Sequence, residues 1–333
     1  MPGSSEERRP WVIGDRGASG LRPEHSLAAY ELAIEQGADF VEPDLVPTRD
    51  GMLIARHENE IGGTTDVAAH AQFAGRRTTK LLNGSPVTGW FTEDFTLDEL
   101  RTLRVRERLP ELRPDSAAFD GRFGIVTLDE LLDLLRERSA ALGRTIGLVA
   151  ELKHSSYFAA LGLPLDELLL PVLDRHGLMS RDAPVFVESF EPGVLRRLRD
   201  RTPVRLVQLI EAHGAPADEP ERTFAETATP AGLARIAGYA DAIGPAKALV
   251  VPRTDDGRSR ERTSLVAHAH EAGLLVFPWT FRSENLFLPA ELRQGEDLRA
   301  HGDAAAEYRQ FFELGVDAVF SDYPAHAVAA RAA

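Results

Sequence analysis

Nine short apolar or β-branched runs punctuate the chain, with amphipathic stretches of helical period between most of them. The runs are WVIGD, DFVEPDLV, MLIARHE, IGLVAELK, PVFVESF, VRLVQLI, KALVVP, GLLVFPWTF and VDAVFSDYP. Only PTRDG separates the second from the third, which is too short for a crossover helix, and Asp50-Gly51 is a strong turn signal. MLIARHE is therefore expected to fold back as a hairpin, outside the parallel sheet. Eight strands remain, each followed by a helical stretch. In the first of these, SLAAYELAIEQG, Ser26 suits the N-cap, Leu27, Tyr30 and Ile34 recur at helical spacing, and Gly37 marks the stop. Eight βα units in one chain predict a (β/α)8 TIM barrel, read as a single domain over residues 1–333; a doubly wound open sheet is the competing architecture.

Residues 58–120 break the alternation. They are rich in Gly, Thr and Arg and include GGTTD and VTGWFTEDFT. We read them as an insertion after the second barrel strand, placed over the C-terminal mouth where barrel active sites lie. No internal repeat beyond the βα alternation, no low-complexity tract and no interdomain linker stands out.

Composition narrows the function classes. With 43% hydrophobic and 27% charged residues, the 333-residue chain can bury a sizeable core. Its net charge of −14 argues against a nucleic-acid binder or a binder of anionic membranes. The absence of cysteine rules out disulfides and thiolate chemistry. The leader MPGSSEERRP has no apolar segment of a signal peptide. A cytoplasmic protein is expected from the sequence as it stands, and a periplasmic or secreted one if a leader was removed. No run has the length of a membrane span, so no stable membrane insertion is expected. The oligomeric state is not legible.

The glycines of GDRGASG are spaced GxxGxxG, and Leu21, Arg22 and Pro23 intervene before the helix. A dinucleotide fingerprint is GxGxxG and opens directly into its helix, so a Rossmann loop is a poor fit. In VEPDL, Glu42 and Asp44 lie two apart on a strand and share a face. Two such acids repel unless a cation joins them, and hard divalent ions take oxygen ligands; an exposed edge pair, or acids paired with arginine, is the alternative. In LVAELKH, Glu151 and Lys153 share a face in the same way. Glu151 could complete an oxygen-rich metal site and Lys153 could meet an anion, whereas a surface ion pair sits poorly on a buried barrel strand. Arg16 ends the first strand, and its planar fork suits phosphate. His57 ends LIARHE, within reach of the acids if the hairpin folds over the mouth, and imidazole suits proton transfer near neutrality. His268 and His270 do not share a helix face and read as surface. His25, His154 and His213 show no constellation of their own. Trp279 and Asp322 end the seventh and eighth strands.

Taken together, RGASGLRPEHSLAAYELAIEQGADFVEPDLVPTRDGMLIARHE resembles the opening signature of the glycerophosphodiester phosphodiesterase family. AELKH, VESFEP, FPWTF and FSDYP resemble its later blocks, in order, so the likeness runs from about Val12 to Tyr323. The long insertion resembles the larger bacterial periplasmic-type members. The resemblance implies a TIM barrel that hydrolyses glycerophosphodiesters to glycerol 3-phosphate and an alcohol with a divalent cation, Ca²⁺ or Mg²⁺. By position it implies metal ligation by Glu42, Asp44 and Glu151, phosphate contacts from Arg16 and Lys153, catalysis by His57, and a substrate pocket near Glu188 and Trp279.

One position departs from the pattern. The family motif opens His-Arg, and this chain has Asp15-Arg16. An ordinary Asp titrates about two and a half units below His and rarely holds a proton to donate, so a rate loss of about 10²–10⁴-fold is expected where that transfer is needed. Asp15 also adds negative charge beside the cation. An engineered inactivating change, natural decay to a binder of glycerophosphodiesters or glycerol phosphate, and a rewired site with Asp15 as base or as an added metal ligand all fit the substitution. A transfer to an internal hydroxyl giving a cyclic phosphate is a further chemistry for the same barrel.

Overall fold

The computed structural model of the chain describes residues 9–332, so most of the polar leader, on which the compartment expectation rests, lies outside the described residues. Strand β1 (Trp11–Asp15) is the apolar run WVIGD, and it pairs in parallel on both sides. Its neighbours are β2 (Phe40–Glu42) and, at the other end of the chain, the FSD run. Pro43, which has no N–H to give a ladder, interrupts the second run. The strand resumes as β3 (Asp44–Pro47), which pairs antiparallel with β4 (Leu53–Ala55) across the turn at Gly51, where φ is +77°. The hairpin expected for MLIARHE is present.

Beyond it, β5 (Thr78–Leu82) and β6 (Ser85–Gly89) make a separate antiparallel pair. The remaining strands are β7 (Gly147–Leu152), β8 (Val185–Ser189), β9 (Arg205–Ile210), β10 (Ala242–Pro245), β11 (Leu275–Val276) and β12 (Ala318–Ser321). Their order around the sheet is β12-β1-β2-β7-β8-β9-β10-β11, with β3 extending the second position through its parallel register Asp44↔Glu151. The last gap is spanned by Asp317 N–H to Val276 O at 2.9 Å, Phe320 N–H to Pro278 O at 3.2 Å and a parallel bridge between Phe281 and Ser321. Eight parallel positions with helices between them form the (β/α)8 barrel that the alternation predicts.

Aromatic side chains fill the barrel interior. Phe40, Phe186 and Phe277 meet edge to face, with centroids 5.8 Å and 5.2 Å apart, and Trp11 packs on all three. A wider aliphatic layer lies between the strands and the helices. The glycines of GDRGASG prove to be packing positions. A Cβ on Gly17, where φ is +89°, would stand 2.5 Å from the Ala29 backbone, and one on Gly20 would enter the Tyr323 ring. They let the loop after β1 press against its helix.

The segment between β4 and the helix Leu128–Leu142 reaches the barrel mouth through arginines. Arg113 donates to Glu284 at 2.6 Å, to Asp322 at 2.5 Å and to Ser19 O at 3.1 Å. The helix itself opens on a capping box of Thr127 and Glu130. No helix among the described residues is long and apolar enough to cross a membrane.

Candidate active site

Each candidate side chain sits at or just past the C-terminal tip of a strand, so the barrel aims all of them at one mouth. Asp15 and Arg16 end β1, Glu42 ends β2, Asp44 opens β3, and His57 follows β4. Glu151 and Lys153 end β7, Glu188 lies near the end of β8, and Trp279 follows β11. All nine line a single cavity of 440 Å³. Arg16 has φ +57°, in the left-handed region, and its backbone N–H donates to Glu42 Oε2 at 3.0 Å.

The acids divide into two groups. Glu42, Glu151 and Glu188 each offer an oxygen within 4.8 Å of the others, and all three are buried. Burial, then the neighbouring acids, pushes the carboxyls of Glu42 and Glu188 well above the usual range. Burial raises Glu151 to about 8, against the pull of Lys153. Glu188 Oε2 is buried with no partner. A cluster of buried carboxyls that cannot all ionise, with an orphaned oxygen aimed inward, suits a hard divalent cation. Asp44 is differently placed. It meets His25 Nε2 at 2.9 Å, Arg16 Nε at 3.1 Å and Lys153 Nζ at 3.3 Å. Burial opposes its ionisation, but Lys153, Arg16 and the hydrogen bond with His25 outweigh that and hold its carboxyl well below the usual range. Lys153 also pairs with Glu151 at 2.9 Å.

His57 is held from behind. Its Nδ1 lies 2.5 Å from Glu58 Oε1, which leaves Nε2 for the cavity. Burial, then Arg16 and Lys153, lowers its pKa to about 4, so the ring is neutral near pH 7. Glu58 is gripped by Arg108, which also donates to Glu24 at 2.6 and 2.7 Å. Glu24 in turn receives Arg16 at 3.2 Å.

Asp15 is not an ordinary carboxylate. Burial raises it to about 7; Arg16 opposes the shift and Asp322 adds to it. Burial thus moves the Asp15 carboxyl well above the ordinary Asp range. Its Oδ2 is buried without a partner. Asp322 does not line the cavity; Arg113 and Arg282 hold it at 2.5 and 3.0 Å, and its carboxyl stays well below the usual range although burial opposes this.

Three participants are not apparent from local sequence. His25, buried with φ +60°, bridges Asp44 and the Tyr30 hydroxyl, which lies 2.7 Å from its Nδ1. Arg108 and Glu24 complete the support of His57. A PEHS turn does place His25 beside the first helix, but its partner Asp44 is 19 residues away. His270 pairs with Asp317 on the surface, and His213 is exposed. Trp279 donates Nε1–H to Gly244 O at 2.7 Å and stands perpendicular to Phe190 with centroids 5.7 Å apart.

Known proteins resemble this chain in sequence and in fold. The description of the glycerophosphoryl diester phosphodiesterase family fits residues 16–326. The Arabidopsis thaliana glycerophosphodiester phosphodiesterase GDPD6 is 34% identical over 95% of this chain and 84% of its own length. The Haemophilus influenzae glycerophosphodiester phosphodiesterase is 25% identical over 92% and 88%. Among solved structures, a Silicibacter pomeroyi protein superposes with a TM-score of 0.67 at 22% identity, covering 97% of this chain and 93% of its own. An Oleispira antarctica phosphodiesterase in complex with the product sn-glycerol-3-phosphate gives 0.60 at 21% identity, covering 97% of each chain. These last two speak to the fold. With the family pattern spanning most of its length and a relative this similar, the chain belongs to the glycerophosphoryl diester phosphodiesterase family.

Proposed function

We propose that the protein hydrolyses glycerophosphodiesters to glycerol 3-phosphate and an alcohol with the help of one divalent cation, Ca²⁺ or Mg²⁺. The observation that carries this is the convergence of Glu42, Glu151 and Glu188 within 4.8 Å, in the cavity that Arg16 and Lys153 also line. The three glutamates would hold the cation, with Asp44 beside Glu151 as a further acid. When bound, the cation offsets their charge and polarises a phosphate oxygen. Arg16 and Lys153 bind the remaining phosphate oxygens and stabilise charge that develops on them.

Hydrolysis needs a proton removed from water as the new P–O bond forms, and a proton given to the alkoxide as the old bond breaks. His57, with Nε2 toward the cavity, is one partner in that exchange, and Asp15 is the other. A carboxyl held near neutrality by burial can do what the histidine of the family motif does, which favours a rewired site over a decayed one. Glu188 and Trp279 border the substrate.

Release of glycerol 3-phosphate from glycerophosphocholine, followed with Ca²⁺ or Mg²⁺ present, tests the reading. Turnover by the protein itself is expected, with Asp15→Asn slower by about 10²-fold or more and Asp15→His active. Failure of both the protein and Asp15→His to act on any glycerophosphodiester overturns it.

A further inference from the structure

Two arginines of the segment after β4 end in the same kind of relay. Arg108 grips Glu58, and Glu58 meets Nδ1 of His57. Arg113 donates to Asp322 Oδ2 at 2.5 Å, and that oxygen also receives Nε–H of Arg282 at 3.0 Å. In both, an arginine holds an acid, and the acid holds a side chain of the 440 Å³ cavity by one nitrogen. The first relay ends on an imidazole suited to proton transfer. The second ends on a guanidinium.

The strand register places that guanidinium beside Asp15. Ser321 is in register with Gly14 on β1 and bridges in parallel to Phe281. Asp15, Asp322 and Arg282 therefore occupy the next level of three adjacent strand tips, and Asp15 and Arg282 line the cavity. Arg282 is held there without spending most of its donors. Its Cζ lies 4.6 Å from the centre of the Phe287 ring, a contact that consumes no N–H. Nε is taken by Asp322, and among the described residues neither Nη group has an acceptor. The other cations that line the cavity are committed to acids: Arg16 to Glu24 and Asp44, Lys153 to Asp44 and Glu151, Arg108 to Glu24 and Glu58.

We infer that Arg282 is a third cation of the phosphate site, donating through its Nη groups to a phosphoryl oxygen on the Asp15 side. The inference rests on the phosphodiesterase reading above. Two N–H donors on a planar fork suit phosphate oxygens. A phosphodiester carries one negative charge. Charge grows on its oxygens as the phosphorus is attacked, and the monoester product ionises a second time near about pH 6. Arg282 therefore gains more from the transition state and from glycerol 3-phosphate than from the substrate, and acts on kcat and product binding more than on KM. Asp322 and Arg113 are its positioning residues.

The test measures kcat, KM and the inhibition constant of sn-glycerol 3-phosphate with glycerophosphocholine as substrate and the cation present. Arg282→Ala is expected to lower kcat by about 10²-fold, the loss seen on removing one preorganised donor, and to weaken product inhibition by about tenfold. Arg282→Lys keeps the charge without the fork and should recover part of both. Added guanidinium should restore activity to Arg282→Ala in a saturable way, and uncharged urea should not; a purely structural role moves neither response. Melting curves verify folding, and Arg282→Lys carries the comparison if the alanine variant does not fold. Unchanged kcat and product inhibition, or a loss that neither lysine nor guanidinium repairs, overturns the inference while leaving the phosphodiesterase reading standing. If turnover is too slow to follow, calorimetric binding of sn-glycerol 3-phosphate to the protein and to Arg282→Ala gives the same ratio as Kd. Absence of both turnover and product binding in the unmodified protein overturns both.

Discussion

Arg108 and Glu58 form a two-point ion pair, Nη1 to Oε1 at 2.9 Å and Nη2 to Oε2 at 2.7 Å. Through it a residue fifty positions along the chain fixes the carboxylate that orients His57. Arg108→Gln frees Glu58 and leaves the imidazole poorly aimed. A positioned acid–base group contributes about 10²–10⁴-fold, so partial loss of its orientation is expected to cost roughly 10–10²-fold in kcat, with KM less affected. The pH profile should move as well, because Glu58 no longer holds the Nδ1 proton in place. Arg108→Lys should recover only part of the loss, since an ammonium cannot grip two carboxylates in a fork. A variant with unchanged kcat and pH profile would remove Arg108 from the account.

Cation affinity should depend on pH, with a definite sign. Glu151 near 8, and Glu42 and Glu188 held well above the usual range, carry protons in mildly acidic solution that the cation-bound state would not keep. Binding must displace them, so Kd should fall from about pH 6 to about pH 8, by up to about tenfold per unit for each proton released. The same carboxyls affect stability. Their pKa values are raised on folding, so their contribution to the metal-free fold is complete below the unfolded range and is lost progressively as pH rises from there through the folded value, for Glu151 from 4.5 to about 8. The gap in Tm between cation-loaded and metal-free protein should therefore widen over that window. Calorimetry in buffers of different ionisation enthalpy, with melting curves at several pH values, checks both; a pH-independent Kd contradicts them.

Gly17 answers to backbone geometry. A methyl group there meets the Ala29 backbone at 2.5 Å, and φ is +89°. Gly17→Ala should cost about 2–4 kcal/mol through strain and overpacking, and displace Arg16. Gly75, with open space around its Cβ position, should tolerate alanine. Thermal unfolding of the two variants measures the contrast, and equal Tm values would remove the packing role assigned to Gly17.

Much of this architecture is legible in the chain. Strand period and turn chemistry are local, so the eight positions and the β3–β4 hairpin can be read directly, and strand tips announce which side chains share a mouth. Period two cannot say which acids converge on one point. Pro43 splits the strand between Glu42 and Asp44, and Asp44 then registers against Glu151 while its carboxylate turns to His25, Arg16 and Lys153. The oxygens within 4.8 Å instead belong to Glu42, Glu151 and Glu188, a set that joins three separate strands. Arg108 and Arg113 lie in the charged run RVRERLPELRPD, where nothing local marks them out; contacts 50 to 209 residues away give them their roles. The altered titration of Asp15 has the same origin, since burial by distant parts of the fold produces it.

The central claim is that one cation sits among the three glutamates. Calorimetric titration of metal-free protein with Ca²⁺ and Mg²⁺ tests it most directly, alongside the variant combining Glu42→Gln, Glu151→Gln and Glu188→Gln, with folding verified by circular dichroism. One site per chain in the protein, and none in the folded variant, is the predicted result. Undiminished binding by the variant, or glycerophosphodiester turnover by protein that binds neither ion, would contradict the claim.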